Sequence, residues 1–327
     1  EEIKALVDEV SAYTNFFVIG STGITYDETK LNETCQYVYD RGLSFVIFTE
    51  EPPRTQWLDY AKSRWGDRFL GLYVYDEVGG RQLDLYKYRP VYEADDCADA
   101  SNQFVTMLNR TLEYVARNYT GYSNFQLFTS DYALYWFDYK AGYDVVFAEF
   151  GWNYSRQLNV ALCRGAAKAQ NRDWGVMITW TYDEPPYIES GEELYDDMVL
   201  AYQNGAKYIV VFDTNKNYTH GVLTEGHLAA LKQFWQYAAN NPRDSDTAND
   251  RVAFALPKDF AYGFRGPSDK IWGLWEANDT STELCVNLER QLKYYGTKLD
   301  VIYDDDVSYN NMRIYSKITF WNGTVIR

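Results

Sequence analysis

Eight short runs rich in β-branched and aromatic residues recur along this chain, separated by segments with helical period. They are Phe16 to Gly20, Ser44 to Phe48, Phe69 to Tyr75, Phe125 to Phe128, Asp144 to Ala148, Gly175 to Thr181, Tyr208 to Phe212 and Val252 to Leu256. Between them, helices are expected over Glu28 to Arg41, Gln56 to Trp65, Ala100 to Asn118, Tyr154 to Gln170, Glu192 to Asn204 and Glu225 to Asn240. Alternation of this kind is the pattern of β and α units, and eight strands with intervening helices are what a (β/α)8 TIM barrel requires. A chain of 327 residues is long enough for one.

The expected partition is a barrel over residues 1–250, with 251–327 supplying the last strand and helix and a C-terminal α/β extension. A second partition treats Asn241 to Asp250 as a linker. Val252 to Leu256, a helix over Ser281 to Tyr295, Leu299 to Tyr303 and Ile318 to Trp321 then begin a separate, incomplete α/β domain. The third unit carries a long insertion from Val78 to Asp99, and long βα insertions are where barrels carry function.

Charge narrows the partners. Lys and Arg total 31 against 47 Asp and Glu, for a net charge of -16, which repels nucleic acid and anionic membrane surfaces. No stretch approaches the roughly 18 apolar residues of a bilayer span. Seven Asn-x-Ser/Thr acceptor sites, at Asn32, Asn109, Asn118, Asn153, Asn217, Asn278 and Asn322, predict a glycosylated chain that is secreted or displayed at the cell surface. A first residue of Glu reads as a processed product.

The four cysteines, Cys35, Cys97, Cys163 and Cys285, lack the spacing of metal or redox sites, and the two histidines, His220 and His227, read as surface residues. No metal and no cofactor are expected. If Val252 to Leu256 is the eighth barrel strand, the helix with Cys285 closes the ring beside the first helix with Cys35, and an oxidising compartment would join these two. Cys97 and Cys163 have no assigned pairing.

Barrels of this kind place reactive groups at the carboxyl ends of their strands. Here those ends are acidic: Glu50 and Glu51, Asp76 and Glu77, Asp131, Glu149, Asp183 and Glu184, and Asp213. Side-chain alternation turns Tyr73, Tyr75 and Glu77 of the third strand toward the axis, and groups Glu149 with Val145 and Phe147, Asp183 with Thr179 and Thr181, and Asp213 with Ile209 and Val211. Tyr73, Tyr75, Trp152, Trp180, Tyr182 and Tyr187 flank these acids. Aromatic faces stack on the C–H faces of sugars, so acids framed by aromatics suit carbohydrate.

The segments YDEVGGRQLD (75–84), FAEFGWNYSR (147–156) and GAKYIVVFDTN (205–215) resemble TIM-barrel glycoside hydrolases, of the β-galactosidase-like and endo-mannosidase-like kind and including archaeal surface relatives, over about residues 1–240. The resemblance implies two carboxylic acids flanking a scissile glycosidic bond. By position these are Glu77 and Glu149, with Asp76, Asp183, Glu184 and Asp213 in reserve, and Tyr73, Tyr75, Trp152, Trp180 and Tyr182 binding substrate. Common retaining barrels carry Asn-Glu after the fourth strand and Glu after the seventh, whereas this chain has Ser130-Asp131 and Asp213-Thr214. The segment from Val252 to Glu276 is also similar to the start of the amidotransferase-like domain that follows some galactosidase barrels.

Two functions are therefore expected as alternatives: an exported glycoside hydrolase, or a non-catalytic glycosylated surface protein that self-associates on a glycosidase-like barrel. Asn153, four residues after Glu149, favours the second, because a glycan there would crowd the mouth. Protein from its native source is expected to have an intact mass above the bare 38.1 kDa, falling on enzymatic deglycosylation. A mass equal to the bare chain contradicts the exported reading.

Overall fold

The first seven apolar runs become the strands of one parallel sheet, in chain order. They are β1 (Phe16–Ile19), β2 (Ser44–Thr49), β3 (Phe69–Val74), β4 (Gln126–Asp131), β5 (Val145–Phe150), β6 (Asp173–Ile178) and β7 (Tyr208–Val211). The computed structural model describes residues 1–51, 55–118, 125–243, 251–266, 268–305 and 312–326. The sheet curls into a nearly closed ring with helices outside it, and the rings of Phe16 and Tyr208 lie 5.1 Å apart between its first and last strands. This is the (β/α)8-type TIM barrel that the alternation predicts.

Strand side chains alternate, so one residue set fills the ring and the other meets the helices. Val46, Tyr73, Phe128, Val145, Phe147 and Met177 form the inner cluster, with Phe16, Val18, Phe48, Tyr208, Val210 and Phe212 packed on it. Aromatic rings fill much of this interior: Phe128 stacks on Phe147 at 5.9 Å. At Gly71 (φ 145) the register between β2 and β3 shifts, and a Cβ there would stand 1.9 Å from the Gln126 carbonyl oxygen. The shift turns Leu70 into the barrel, against the simple alternation expected for β3.

The eighth run does not complete the ring. Val252–Leu256 (β8) lies in a second sheet with β9 (Leu299–Tyr303), β10 (Lys317–Phe320) and β11 (Val325–Ile326), ordered β11-β10-β8-β9. It pairs in parallel with both β9 and β10, and all five of its residues are buried. The expectation that it closes the barrel is thus corrected, and the strand, helix, strand, strand reading of this region is the one that forms. The proposed Cys35–Cys285 bridge fails for the same reason. The helix Asp279–Tyr295 packs on β8 and β9, and all four cysteines are free thiols. Cys35 is fully buried in the apolar layer outside the barrel strands, where burial pushes its thiol up.

The helix Arg156–Ala169 joins the two sheets, with β5 on one side and β9 on the other. Its Arg164 is fully buried. Nε meets Asp300 Oδ1 at 2.6 Å, Nη1 meets Asn204 Oδ1 at 2.8 Å, and Nη2 donates to the Thr297 and Leu299 carbonyls at 2.8 and 2.9 Å. The next residue must be glycine, because a Cβ on Gly165 would lie 2.2 Å from the Val301 oxygen. His227, expected at the surface, is buried too. Its Nδ1 accepts from the Thr224 N–H, and Nε2 donates to the Glu189 carbonyl at 2.7 Å.

Removing one partner of a buried ion pair strands the other charge, which costs about 3–5 kcal/mol. Arg164→Ala is expected to lower unfolding stability by about that amount in urea titrations. A loss below about 1 kcal/mol would show that the pair does not dock the second sheet.

Candidate active site

The YDEVGG segment leaves β3 through two left-handed residues, Tyr75 (φ 60) and Glu77 (φ 52), before the helix Val78–Leu83 begins. These positive angles break the strand alternation. Tyr75, expected at the mouth, instead turns outward, and its hydroxyl sits 3.4 Å from Thr111 on the helix Cys97–Asn118. The start of helix Val78–Leu83 is held by Asp131 at the end of β4. Its carboxylate accepts the N–H groups of Gly79 and Gly80 at 2.5 and 2.9 Å, and of Tyr132 and Ala133 at 2.7 and 3.0 Å. Both glycines are required, since a Cβ on Gly79 would lie 2.6 Å from Leu134 Cβ and one on Gly80 2.0 Å from the Tyr132 ring.

This clamp brings Asp76 and Glu77 against Glu149, which points inward from β5 as its parity predicts. The Ser130 hydroxyl, from β4, stands 2.5 Å from Glu149 Oε1 and 2.9 Å from Asp76 Oδ1, so it bridges the two acids. The buried Tyr73 hydroxyl donates to Asp76 and lies 2.6 Å from Ser130 Oγ. Glu77 and Glu149 lie near enough in this buried site for each to change the other's proton affinity. Two like charges this close and out of water favour leaving one of them as the acid. Burial first, then the neighbouring charge, raises both: Glu77 to about 7 and Glu149 well above the usual carboxylate range.

A second pair lies behind the first. Asp138 is fully buried with no donor among the described residues on either oxygen, so its site favours the neutral acid beside Asp131. Burial holds Asp131 up at about 6 despite its four backbone bonds, and Asp138 well above its ordinary value. The solvent side belongs to Asp76, whose side chain is 34% exposed and 3.9 Å from Arg81.

Of the expected aromatic residues, Tyr73 touches the acids, Tyr75 does not, and Trp180 stands in an aromatic cluster that adds Tyr218. Trp180 packs against Tyr187, Phe212 and Tyr218, at 5.8, 5.8 and 6.1 Å, and donates from Nε1 to the Thr214 carbonyl at 2.8 Å. Tyr218 is 73% exposed and lies within reach of the charges of Asp76 and Glu77. Tyr182 is exposed and Trp152 half-buried. The loop carrying Trp152 and the exposed Asn153 is tied down by Arg156, which donates to the Gly151, Trp152 and Tyr154 carbonyls and pairs with Glu189 and Asp197 at 3.1 and 2.9 Å.

The remaining reserve acids stay outside the cluster. Asp213 shares the parity of Ile209 and Val211, which face the helices, and its carboxylate accepts the Val222 and Leu223 N–H groups at 2.6 and 3.0 Å. Asp183 is 74% exposed with Lys216 at 3.8 Å, and Glu184 is exposed. Sequence reasoning missed three participants. Ser130 shares parity with Phe128 and was legible; Asp138, a lone acid among the aromatic residues of YWFDY, carried a weaker signal; Tyr218, in a loop, carried none.

No family model matches the chain, and no curated protein matches it in sequence. Solved structures do match in fold. A GH5_18 protein from Streptomyces cattleya in complex with GlcNAc shares 11% identity at a TM-score of 0.63, over 98% of this chain and 93% of that one. A GH5_18 variant from Bifidobacterium longum in complex with Manb1-4GlcNAc gives 10% and 0.59 over 98% and 90%, and a beta-galactosidase from Marinomonas ef1 gives 10% and 0.58 over 98% and 69%. The chain therefore has the TIM-barrel fold of glycoside hydrolases, with only diffuse likeness in sequence.

An acid whose folded pKa lies above its unfolded value binds more protons when folded, so its contribution to stability is complete at low pH and declines as pH rises toward the folded value. For Glu77 that window runs from about 4.5 to about 7. The melting temperature is expected to fall across it. Glu149→Gln should flatten the decline and melt above the unaltered protein near about pH 8. Equal pH dependence in both proteins contradicts a coupled pair.

Proposed function

We propose that the protein is an exported glycan hydrolase, and that Glu77, Glu149 and Asp76 carry its chemistry. What supports this reading is the buried group of acids at the carboxyl end of the barrel strands, where the Ser130 hydroxyl bridges Glu149 and Asp76 and burial raises Glu77 to about 7. A glycosidic oxygen needs an acid that still holds its proton near neutrality, and burial keeps one here. The neutral member of the pair gives that proton to the leaving oxygen. Asp76, one Ser130 hydroxyl away and open to solvent, is the carboxylate that acts at the sugar carbon or on water. Tyr218, Trp180 and Tyr182 supply aromatic surface for the sugar.

One fact favours a second reading, a glycosylated surface protein that binds sugar or itself without cleaving. The exposed Asn153 acceptor stands only four residues after Glu149, and a glycan there would crowd the mouth that a polysaccharide must enter. The sequons support export in either case: Asn153, Asn217, Asn278 and Asn322 are exposed. Asn32 and Asn109 are half-buried and use their amides on Trp57 and on the Ala141 carbonyl. The Asn118 side chain lies outside the described residues.

Hydrolysis of a glycan panel that includes Manb1-4GlcNAc is expected to follow a bell-shaped pH dependence. Glu77→Gln, Glu149→Gln and Asp76→Asn should each lower turnover by at least about two orders of magnitude while the protein still folds. Undiminished hydrolysis in all three variants rejects these residues. Binding without any cleavage by the unaltered protein replaces the hydrolase reading with the second one.

A further inference from the structure

A cavity of about 370 Å³ opens outside the acid cluster, where the insertion after β3 meets the segment that follows β8. Its walls include Asp84, Leu85, Tyr154, Arg265, Asp269 and Lys270. The floor is rigid. Arg265 pairs with Asp84 at 2.8 Å and with Asp269 at 2.7 Å, and its guanidinium lies 5.4 Å from the centre of the Tyr132 ring, whose hydroxyl donates to Asp84 at 2.6 Å. Gly263 has no room for a side chain beside this clamp, since a Cβ would meet Asp269 Oδ2 at 2.6 Å and Arg265 Nε at 2.8 Å.

The charges in the walls are already paired: Asp84 and Asp269 hold Arg265, and Lys270 pairs with Glu276 at 2.5 Å. Neither an anion nor a cation is favoured over the other. What remains is a set of interleaved donors and acceptors beside an aromatic wall, and that combination fits a neutral ligand with many hydroxyl groups. Tyr154 lines this cavity and lies in the short connection that follows Glu149 and the end of β5. Its ring stacks on Tyr132 at 5.8 Å, and the charges of Arg265, Asp84 and Glu149 all reach it.

We propose that this cavity is a carbohydrate subsite, holding a sugar unit of the same glycan whose other part lies against Glu77 and Glu149. The proposal rests on the glycan-directed reading above and adds a site to it. Length selectivity is its consequence, because only a chain long enough to reach past Tyr154 gains the second contact.

Calorimetric titration of the full chain carrying Glu149→Gln, with manno- and cello-oligosaccharides of increasing length, tests this directly. Affinity is expected to rise with length. Adding Tyr154→Ala, or separately the half-exposed Lys270→Ala, should lower affinity for the longest oligosaccharide by about tenfold and leave the disaccharide within about twofold. Unchanged length dependence in both variants overturns the subsite, as does an absence of binding across the series. Retained cleavage by the parent enzyme together with unaffected variants removes the subsite alone. Loss of length dependence in the variants, in a protein that never cleaves, keeps the subsite and removes the hydrolase.

Discussion

The carboxylate of Asp131 is the tie on which the mouth of this barrel depends. Four backbone N–H groups converge on it, two from the first turn of helix Val78–Leu83 and two from the chain just beyond β4. It thereby fixes the left-handed exit of β3 and the placement of Asp76 and Glu77 beside Glu149. Such a group would ordinarily be fully ionised. Here burial is strong enough to hold it at about 6, and a proton on Asp138 limits the charge in the pair to one. The same logic recurs one layer nearer solvent, where burial raises Glu77 and Glu149 together. Desolvation is the largest cause in both cases, and at Glu77 it outweighs the opposing pull of Arg81.

Much of the barrel was legible because burial follows period. Seven runs of β-branched and aromatic residues became seven neighbouring strands, and alternation turned Tyr73 inward and grouped Glu149 with Val145 and Phe147, which face the interior, whereas Asp213, kept in reserve as a catalytic acid, lies with Ile209 and Val211 on the helix-facing side. What alternation could not reveal was the partner of a strand. Val252–Leu256 has the composition of any buried parallel strand, and only the competing edges of β9 and β10 take it away from the ring. The helix bearing Cys285 follows that strand, so the disulfide expectation failed with it. Tyr75 was misplaced for a local reason: a positive φ inverts the direction of a side chain, and nothing in the letters YDE announces it.

Two lobes frame the region where the chemistry is placed. Arg164 pairs with one oxygen of Asp300 and donates to the Thr297 and Leu299 carbonyls in a buried site, and Gly165 lets helix and strand touch. This docking carries the segment after β8 toward the insertion after β3, where Arg265 meets Asp84. An isolated barrel would lack that wall. The C-terminal sheet thus contributes to the surroundings of the mouth as well as to the stability of the chain.

The central claim is that neutral carboxyls persist in the mouth near physiological pH. Side-chain carboxyl carbon NMR of protein labelled at glutamate, titrated across that range, reads it directly. Two resonances, absent in turn from Glu77→Gln and Glu149→Gln, are expected to titrate at or above about pH 7, as one coupled pair. Both resonances reaching their ionised shifts below about pH 5 would contradict the account.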